Sequence, residues 1–430
     1  MKWIVTKSLL KGSIAIPASK SHTIRALIAA TLAIGESRIA NALTSGDGAS
    51  AISAARSMGA DVSVSGTTLT LAGVCGDYNR GSDDFAMENS GTSTNLFASA
   101  AALGSRRRRF DGDASLRTRP FRPVLEALGK LGVSFGFEAA GCDLPFWVQG
   151  PLRGGTATVS GFSSQFVSSL LFACPCAPVD TICTVENLHE RPYVEMTLNW
   201  LDRLGIRYEA SADLSRFRIP GGQQYRPIDY TVPGDFSSAT FAAVAAPLTH
   251  ARLALRGLDF GDSQGDKAVF DVIARMGATV AKSVAGADVD GRGEVTGVEM
   301  DLNAMPDSLP ALSVLACAAR GETRLVNVAQ ARIKETDRIS VMAAELAKMG
   351  ADIRERSDGL DIRFRPLKGA SVKGHGDHRV VMALALAGMI AEGETVIDTA
   401  EAAAVTYPTF VQDFRALGAN IEVLTNNIQI

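Results

Sequence analysis

Charge of one sign, long apolar runs and paired cysteines are all scarce in this sequence, and each scarcity removes a class of function. The 430 residues carry 43 lysines and arginines against 46 aspartates and glutamates, a net charge of -3. No global field draws the chain to nucleic acid or to a membrane surface, so an anion site has to be built locally. The richest apolar stretch, residues 239–247, is too short and too alanine-rich to span a bilayer. Residues 1–10 include Lys2 and Lys7 and lack the apolar core of a secretory signal, which predicts a cytoplasmic protein. The six cysteines, Cys75, Cys142, Cys174, Cys176, Cys183 and Cys317, are scattered, and Cys174 with Cys176 has no second pair at zinc spacing. Five histidines do not cluster either, so buried reduced thiols are expected, without a metal or disulfide framework.

What is present is a repeat. Helical patterns ending in Leu or Met run into glycine and then a β-like stretch at Gly59, Gly132, Gly205, Gly277, Gly350 and Gly418. Each glycine suits the residue that closes a helix in the left-handed conformation. A strand follows, commonly with a polar turn and a second strand, as around Gly66 between Val64 and Leu69. Units of this size hold two helices and three or four strands. Six of them predict a pseudo-symmetric α/β protein, most simply two domains of three units each.

Several units place charged or small polar residues at helix entrances. Ser21 can cap a helix whose apolar face is Ile24, Leu27, Ile28 and Leu32, which leaves Lys20 just before it and Arg25 just inside. Cations there oppose the helix dipole, so folding alone does not explain them; a bound carboxylate or phosphate would. Glu88-Asn89-Ser90-Gly91-Thr92 forms a turn into a helix expected over residues 96–103, and Arg106, Arg107, Arg108 and Arg109 read as basic residues at its C-terminal end. Arg119 directly precedes a helix-opening Pro120. Ser163-Ser164-Gln165 and Glu190-Arg191-Pro192-Tyr193 follow, the serines being able to cap. Asp307, after Pro306, sits where a short acid usually caps a helix. The densest stretch is Arg332-Ile333-Lys334-Glu335-Thr336-Asp337-Arg338, with Thr336 as expected N-cap to a helix marked by Ile339, Met342, Ala343 and Leu346. Gly374-His375-Gly376-Asp377-His378-Arg379 enters a last helix over residues 380–389.

Taken in order, Lys20-Ser21 with Arg25, Asn89-Ser90-Gly91-Thr92, Arg119-Pro120, Ser163-Ser164-Gln165, Gly234-Asp235-Phe236-Ser237-Ser238, Pro306-Asp307, the Lys334–Arg338 run and Asp377-His378-Arg379 make the chain resemble the enolpyruvyl transferases, from about Gly12 to about Phe410. The resemblance implies two pseudo-threefold domains, each of three βαβαββ units forming an inside-out α/β barrel, joined by two crossover strands. It implies domains of residues 1–18 plus 235–430 and residues 19–234, with the active site in the cleft between them. The implied reaction moves the carboxyvinyl group of phosphoenolpyruvate to the 5-hydroxyl of shikimate 3-phosphate by addition and elimination, with no metal or organic cofactor.

By the same resemblance, Ser21 and Arg25 would hold the shikimate carboxylate, Ser163, Ser164 and Lys334 its phosphate end, and Gln165 would lie between the ligands. Tyr193 would line the same acceptor site. Arg338 and Arg379 would take the phosphoenolpyruvate carboxylate, and Arg119 with Lys20 its phosphate, beside Asn89 and the Gly91 backbone. Arginine suits these roles through its fork of donors. Asp307 would be the base and Glu335 the proton donor, with Lys20 beside the reacting groups. Four positions depart from the family pattern. Asn95 stands in place of an arginine, Glu190 in place of a serine that touches the acceptor phosphate, Gln330 in place of a frequent asparagine, and Val405 in place of a lysine directed at the phosphoenolpyruvate phosphate. Two alternatives follow: transfer to another phosphorylated or nucleotide-linked alcohol, or a substrate-binding pseudoenzyme, which the retained Asp307 and Glu335 oppose. No cysteine lies between Arg106 and Arg119, where the UDP-sugar branch often keeps one. A monomer is expected, since each domain can bury its own core.

Overall fold

A computed structural model describes residues 1–425. Two compact units divide the chain: one is Ala18–Pro233, and the other combines Met1–Pro17 with the chain from Gly234 on. The described strands form six four-stranded sheets. Each sheet has one parallel pair at one side and two antiparallel pairs, as in Asp84–Ala86, Arg107–Asp111, Phe146–Gln149 and Ser134–Phe137. Along the chain this reads strand, helix, strand, helix, strand, strand, because a parallel neighbour needs a crossover helix whereas an antiparallel one needs only a hairpin.

Three sheets borrow strands from far along the chain. Lys2–Thr6 pairs antiparallel with Thr395–Ile397 and Asn420–Leu424, and Gly12–Ala15 pairs parallel with Arg252–Arg256. Asp229–Thr231 pairs with Glu36–Ala40 in the same manner. The N-terminal strands thus belong with the C-terminal half.

The first helix of every repeat is buried along nearly its whole length. These helices are Lys20–Leu32, Gly91–Ala101 and Ser164–Ala173 in the Ala18–Pro233 unit, and Phe236–Leu248, Leu309–Ala318 and His378–Ile390 in the other. Their sequences, such as LPALSVLACA and HRVVMALALAGMI, are apolar all round, the pattern of a helix with no solvent face. Small residues let them approach closely. Ser99 and Ser169 share a hydrogen bond between two of these helices, and Ser169 Oγ also donates to the Asn95 carbonyl at 2.7 Å. The second helices, such as Asp47–Met58 and Arg338–Lys348, are buried on one face only.

All six helix-closing glycines adopt positive φ, from 69° at Gly205 to 122° at Gly277. At Gly205 and Gly350 a Cβ would meet nothing within 4 Å, so the left-handed backbone alone requires glycine there. The turn at Gly66, φ 60°, joins Asp61–Ser65 to Thr68–Ala72 as a hairpin.

Several local expectations shift. The first core helix begins at Lys20 behind Ser19, whose hydroxyl accepts from His22 N, so Ser21 is not the cap. The Gly91–Ala101 helix starts five residues earlier than expected, immediately after the Ser90 cap. Arg106–Arg109 do not end a helix: residues 107–111 form a strand, and the buried Arg108 donates to the carbonyls of Tyr78, Arg80 and Ser82. Period-two alternation hid under the run of like charge. Arg119 is separated from its helix, Arg122–Lys130, by two residues. Cys174, Cys183 and Cys317 are buried, but Cys75 and Cys142 are exposed, against the expectation of buried thiols.

Among the caps, Asp235 is 4% exposed and accepts from Ser237 N at 2.8 Å and Ser238 N at 3.2 Å. Asp235→Ala is expected to lower unfolding free energy by about 1–2 kcal/mol, with Asp235→Asn losing less, as read from urea denaturation at neutral pH.

Candidate active-site clusters

In each unit the N-terminal ends of the three core helices carry residues that touch one another. In the Ala18–Pro233 unit, Arg25 is buried, and its Nε donates to Thr197 Oγ1 at 3.0 Å and its Nη2 to the Tyr193 carbonyl at 3.1 Å. Nη1 reaches the Ser21 carbonyl at 3.2 Å and Nη2 also reaches Ser168 Oγ at 3.4 Å. Burial pulls Arg25 down to about 10, with Tyr193 and Glu190 opposing the shift. The guanidinium therefore stays charged at neutral pH. Lys20 pairs with Asp47 at 3.3 Å, both largely buried.

Around Gly91 the packing is tight for a chemical reason. A Cβ there would lie 3.0 Å from Arg119 Nη1 and 3.6 Å from Gln165 Oε1, so glycine opens the space in which the guanidinium and the amide sit. Asn89 Oδ1 accepts from Arg119 Nη2, while Asn89 Nδ2 donates to Asp113 at 2.8 Å. Asn95 Nδ2 donates to the Gly91 carbonyl at 2.9 Å and to Gln165 Oε1 at 3.1 Å, tying two core helices. Ser163 caps the third core helix, and Ser164, its first residue, donates to Glu190.

The other unit holds a denser charge cluster. Arg338 donates to Asp377 at 2.8 Å, Asp307 at 2.8 Å and Glu335 at 2.5 Å. Arg379 Nη2 donates to Asp307 at 2.8 Å and Ser237 Oγ at 3.0 Å. Asp307 thus bridges two arginines that are each 1% exposed at the side chain. It lies inside the 3-10 turn Pro306–Ser308, and Met305 and Ser308 hold the cap positions of that turn and of the helix Leu309–Ala318, against the expectation that Asp307 caps a helix. Burial alone would lower Arg338; Asp377, Glu335 and Asp307 outweigh it and hold the guanidinium well above its ordinary value. Asp377 is opposed by burial but kept below the usual carboxylate range by Arg338. Nε and Nη1 of Arg379 are buried with no hydrogen-bond partner among the described residues.

The 332–338 run divides in two. Arg332 pairs outward with Asp337 at 2.6 Å and Glu355 at 2.9 Å, while Glu335 and Arg338 join the cluster. Asp337, not Thr336, caps the helix, because the Thr336 hydroxyl is taken by Asp377 at 3.1 Å. Lys334 is half-buried at the end of the turn Ala329–Ile333. Gln330 Nε2 donates to the Asn303 carbonyl at 3.1 Å. Val405 ends the turn Ala400–Val405, half-buried and without charge.

Sequence reasoning missed Asp47, Ser168, Thr197 and the part of Asp377 in fixing Arg338. Asp377 carried a signal, lying directly before His378-Arg379; Asp47 in Gly46-Asp47-Gly48 reads as an ordinary turn.

Six four-stranded sheets, with arginines and carboxylates gathered at helix entrances, match the arrangement expected of a carboxyvinyl transferase. The family model described as EPSP synthase (3-phosphoshikimate 1-carboxyvinyltransferase) matches residues 4–414, and the chain belongs to that family. It is 49% identical to the 3-phosphoshikimate 1-carboxyvinyltransferase of Acetivibrio thermocellus, over 97% of this chain and 98% of that protein. It is 47% identical to the protein of the same name from Ruminiclostridium cellulolyticum, over 98% and 99%. A solved EPSP synthase from Acinetobacter baumannii superposes with a TM-score of 0.82 at 27% identity, covering 99% of this chain and all of that one. Among the described residues no helix is long and apolar enough to cross a membrane.

Burial and the adjacent Arg379 push His378 down to about 3. The unfolded histidine, near 6.5, binds protons that the folded one refuses, so its contribution is whole above pH 6.5 and is lost as pH falls toward 3. Between pH 6.5 and 4.5 this loss is about 2–3 kcal/mol. His378→Gln lacks it, so urea titrations at the two pH values should show a smaller acid penalty for the variant than for the parent protein.

Proposed function

We propose that the chain transfers the carboxyvinyl group of phosphoenolpyruvate to the 5-hydroxyl of 3-phosphoshikimate and releases inorganic phosphate. The observation that carries this reading is Asp307 held between Arg338 and Arg379, with two further Arg379 donors lacking partners among the described residues. A buried guanidinium with unused N–H groups suits an incoming carboxylate. Arg338 and Arg379 bind the donor carboxylate. Arg119 and Lys20, beside Asn89 and Gly91, bind its phosphate. Ser21 and Arg25 bind the acceptor carboxylate, Ser163, Ser164 and Lys334 its phosphate end, and Tyr193 and Gln165 line the space.

The reaction forms a bond from the acceptor oxygen to C2 of phosphoenolpyruvate while C3 gains a proton. It then breaks the C2–O bond to phosphate while C3 loses one. Asp307 accepts the hydroxyl proton; Glu335, having taken up a proton from solvent on leaving Arg338, delivers it to C3 and recovers one from C3 when phosphate departs. Both carboxylates accept from Arg338. A substrate carboxylate that takes over those guanidinium donors releases Asp307 and Glu335 for proton transfer at that moment. Substrates and acid–base groups are thereby coupled through the same two arginines. We place the reaction in a cytoplasmic monomer.

Phosphate release from phosphoenolpyruvate, measured with and without 3-phosphoshikimate, tests the reading; release that does not depend on the acceptor overturns it. Asp307→Asn and Glu335→Gln should each lower kcat by about 10²–10⁴-fold, the range for a lost acid or base. Val405→Lys restores a cation at the turn Ala400–Val405. It should lower the KM for phosphoenolpyruvate while leaving that for the acceptor unchanged, and an unaltered donor KM would remove Val405 from the donor site.

A further inference from the structure

Glu190 is a buried acid of the Ala18–Pro233 cluster with no part in the scheme above. It is 2% exposed and left-handed, with φ 54°, immediately before the helix Arg191–Arg203. A non-glycine residue is strained in that conformation, and a buried carboxylate is costly unless its charge is met. Both costs are offset by what the carboxylate touches. Its Oε2 accepts from Ser164 Oγ at 2.7 Å and from Ser164 N at 3.3 Å. Ser164 is the first residue of the core helix Ser164–Ala173, whose N-terminal end favours negative charge. The Arg25 guanidinium feels Glu190 as a stabilising neighbour.

The chain has therefore installed its own anion on a hydroxyl and an amide that, in the carboxyvinyl-transfer reading, meet the phosphate of the acceptor. A phosphate dianion brought to Ser163 and Ser164 would compete with Glu190 for the same donors and be repelled by its charge. A hydroxyl at the same point can donate to Glu190 instead. We infer that Glu190 is a specificity-determining residue that occupies the acceptor-phosphate position, weakening the preference for a phosphorylated acceptor and favouring an alcohol with an uncharged hydrogen-bond donor there. The inference rests on the assignment of Ser163 and Ser164 to that end of the acceptor.

Calorimetric titration of the full chain with shikimate 3-phosphate and with shikimate tests it without relying on turnover. Glu190→Gln keeps the size of the side chain and its bond from Ser164, so it reports charge; Glu190→Ser also clears the volume. Both variants should bind shikimate 3-phosphate about tenfold or more tightly than the parent chain, the scale of one charge-assisted hydrogen bond, with no gain for shikimate. Unchanged affinity for shikimate 3-phosphate in the variants, or an equal gain for both ligands, overturns the role of Glu190. Phosphate release run on the same proteins keeps the two questions apart. Tighter binding without turnover upholds Glu190 and sinks the transfer reading, whereas turnover with unchanged affinities does the reverse.

Discussion

Two guanidinium groups taken out of water need negative charge close by, and satisfying Arg338 and Arg379 sets the arrangement of the whole unit around them. Asp307, Glu335 and Asp377 come from three separate stretches, and Arg338 bonds all three. A buried charge left uncompensated typically costs about 3–5 kcal/mol, and three carboxylates guard Arg338 against that. The helices entering at Phe236, Leu309 and His378 are thereby locked to one another at their polar ends, while their apolar lengths form the core. The other unit solves the same problem with fewer carboxylates. Arg25 is held by hydroxyls and carbonyls, and Arg119 by Asn89.

The repeat architecture was legible because its markers are local. Positive φ after a helix is a demand on a single residue, and all six glycines meet it. Helix starts were less legible wherever two cap-competent residues stand together. Thr336 and Asp337 both qualify, and the choice is made by Asp377, 41 positions away, which takes the threonine hydroxyl. The same holds for Asp307, whose position after Pro306 reads as a cap until two distant arginines claim its carboxylate. Lys20 with Asp47, and Arg25 with Thr197 and Ser168, are pairings that no spacing rule encodes. The reaction class was legible from the order of eight motifs, while the identity of their partners was not.

The departures from the family pattern differ in kind. Asn95, expected to be an arginine, bridges Gly91 and Gln165 and so ties two core helices without charge. Gln330 makes an ordinary backbone bond. Glu190 sets a buried carboxylate against Ser164, and Val405 is half-buried and uncharged.

The pairing of Lys2–Thr6 with Asn420–Leu424 has a consequence for synthesis on the ribosome. The chain emerges from its N-terminus, and the stretch 18–233 is contiguous, so that unit has every strand it needs once its last residues clear the tunnel. The opening strand must wait about 400 residues for its neighbours; at roughly 5–20 residues per second this leaves an unpaired apolar edge, with Trp3 and Val5, exposed for tens of seconds. Once complete, the strand lies between two neighbours, Thr395–Ile397 and Asn420–Leu424, so losing either one alone leaves it an edge rather than unpaired.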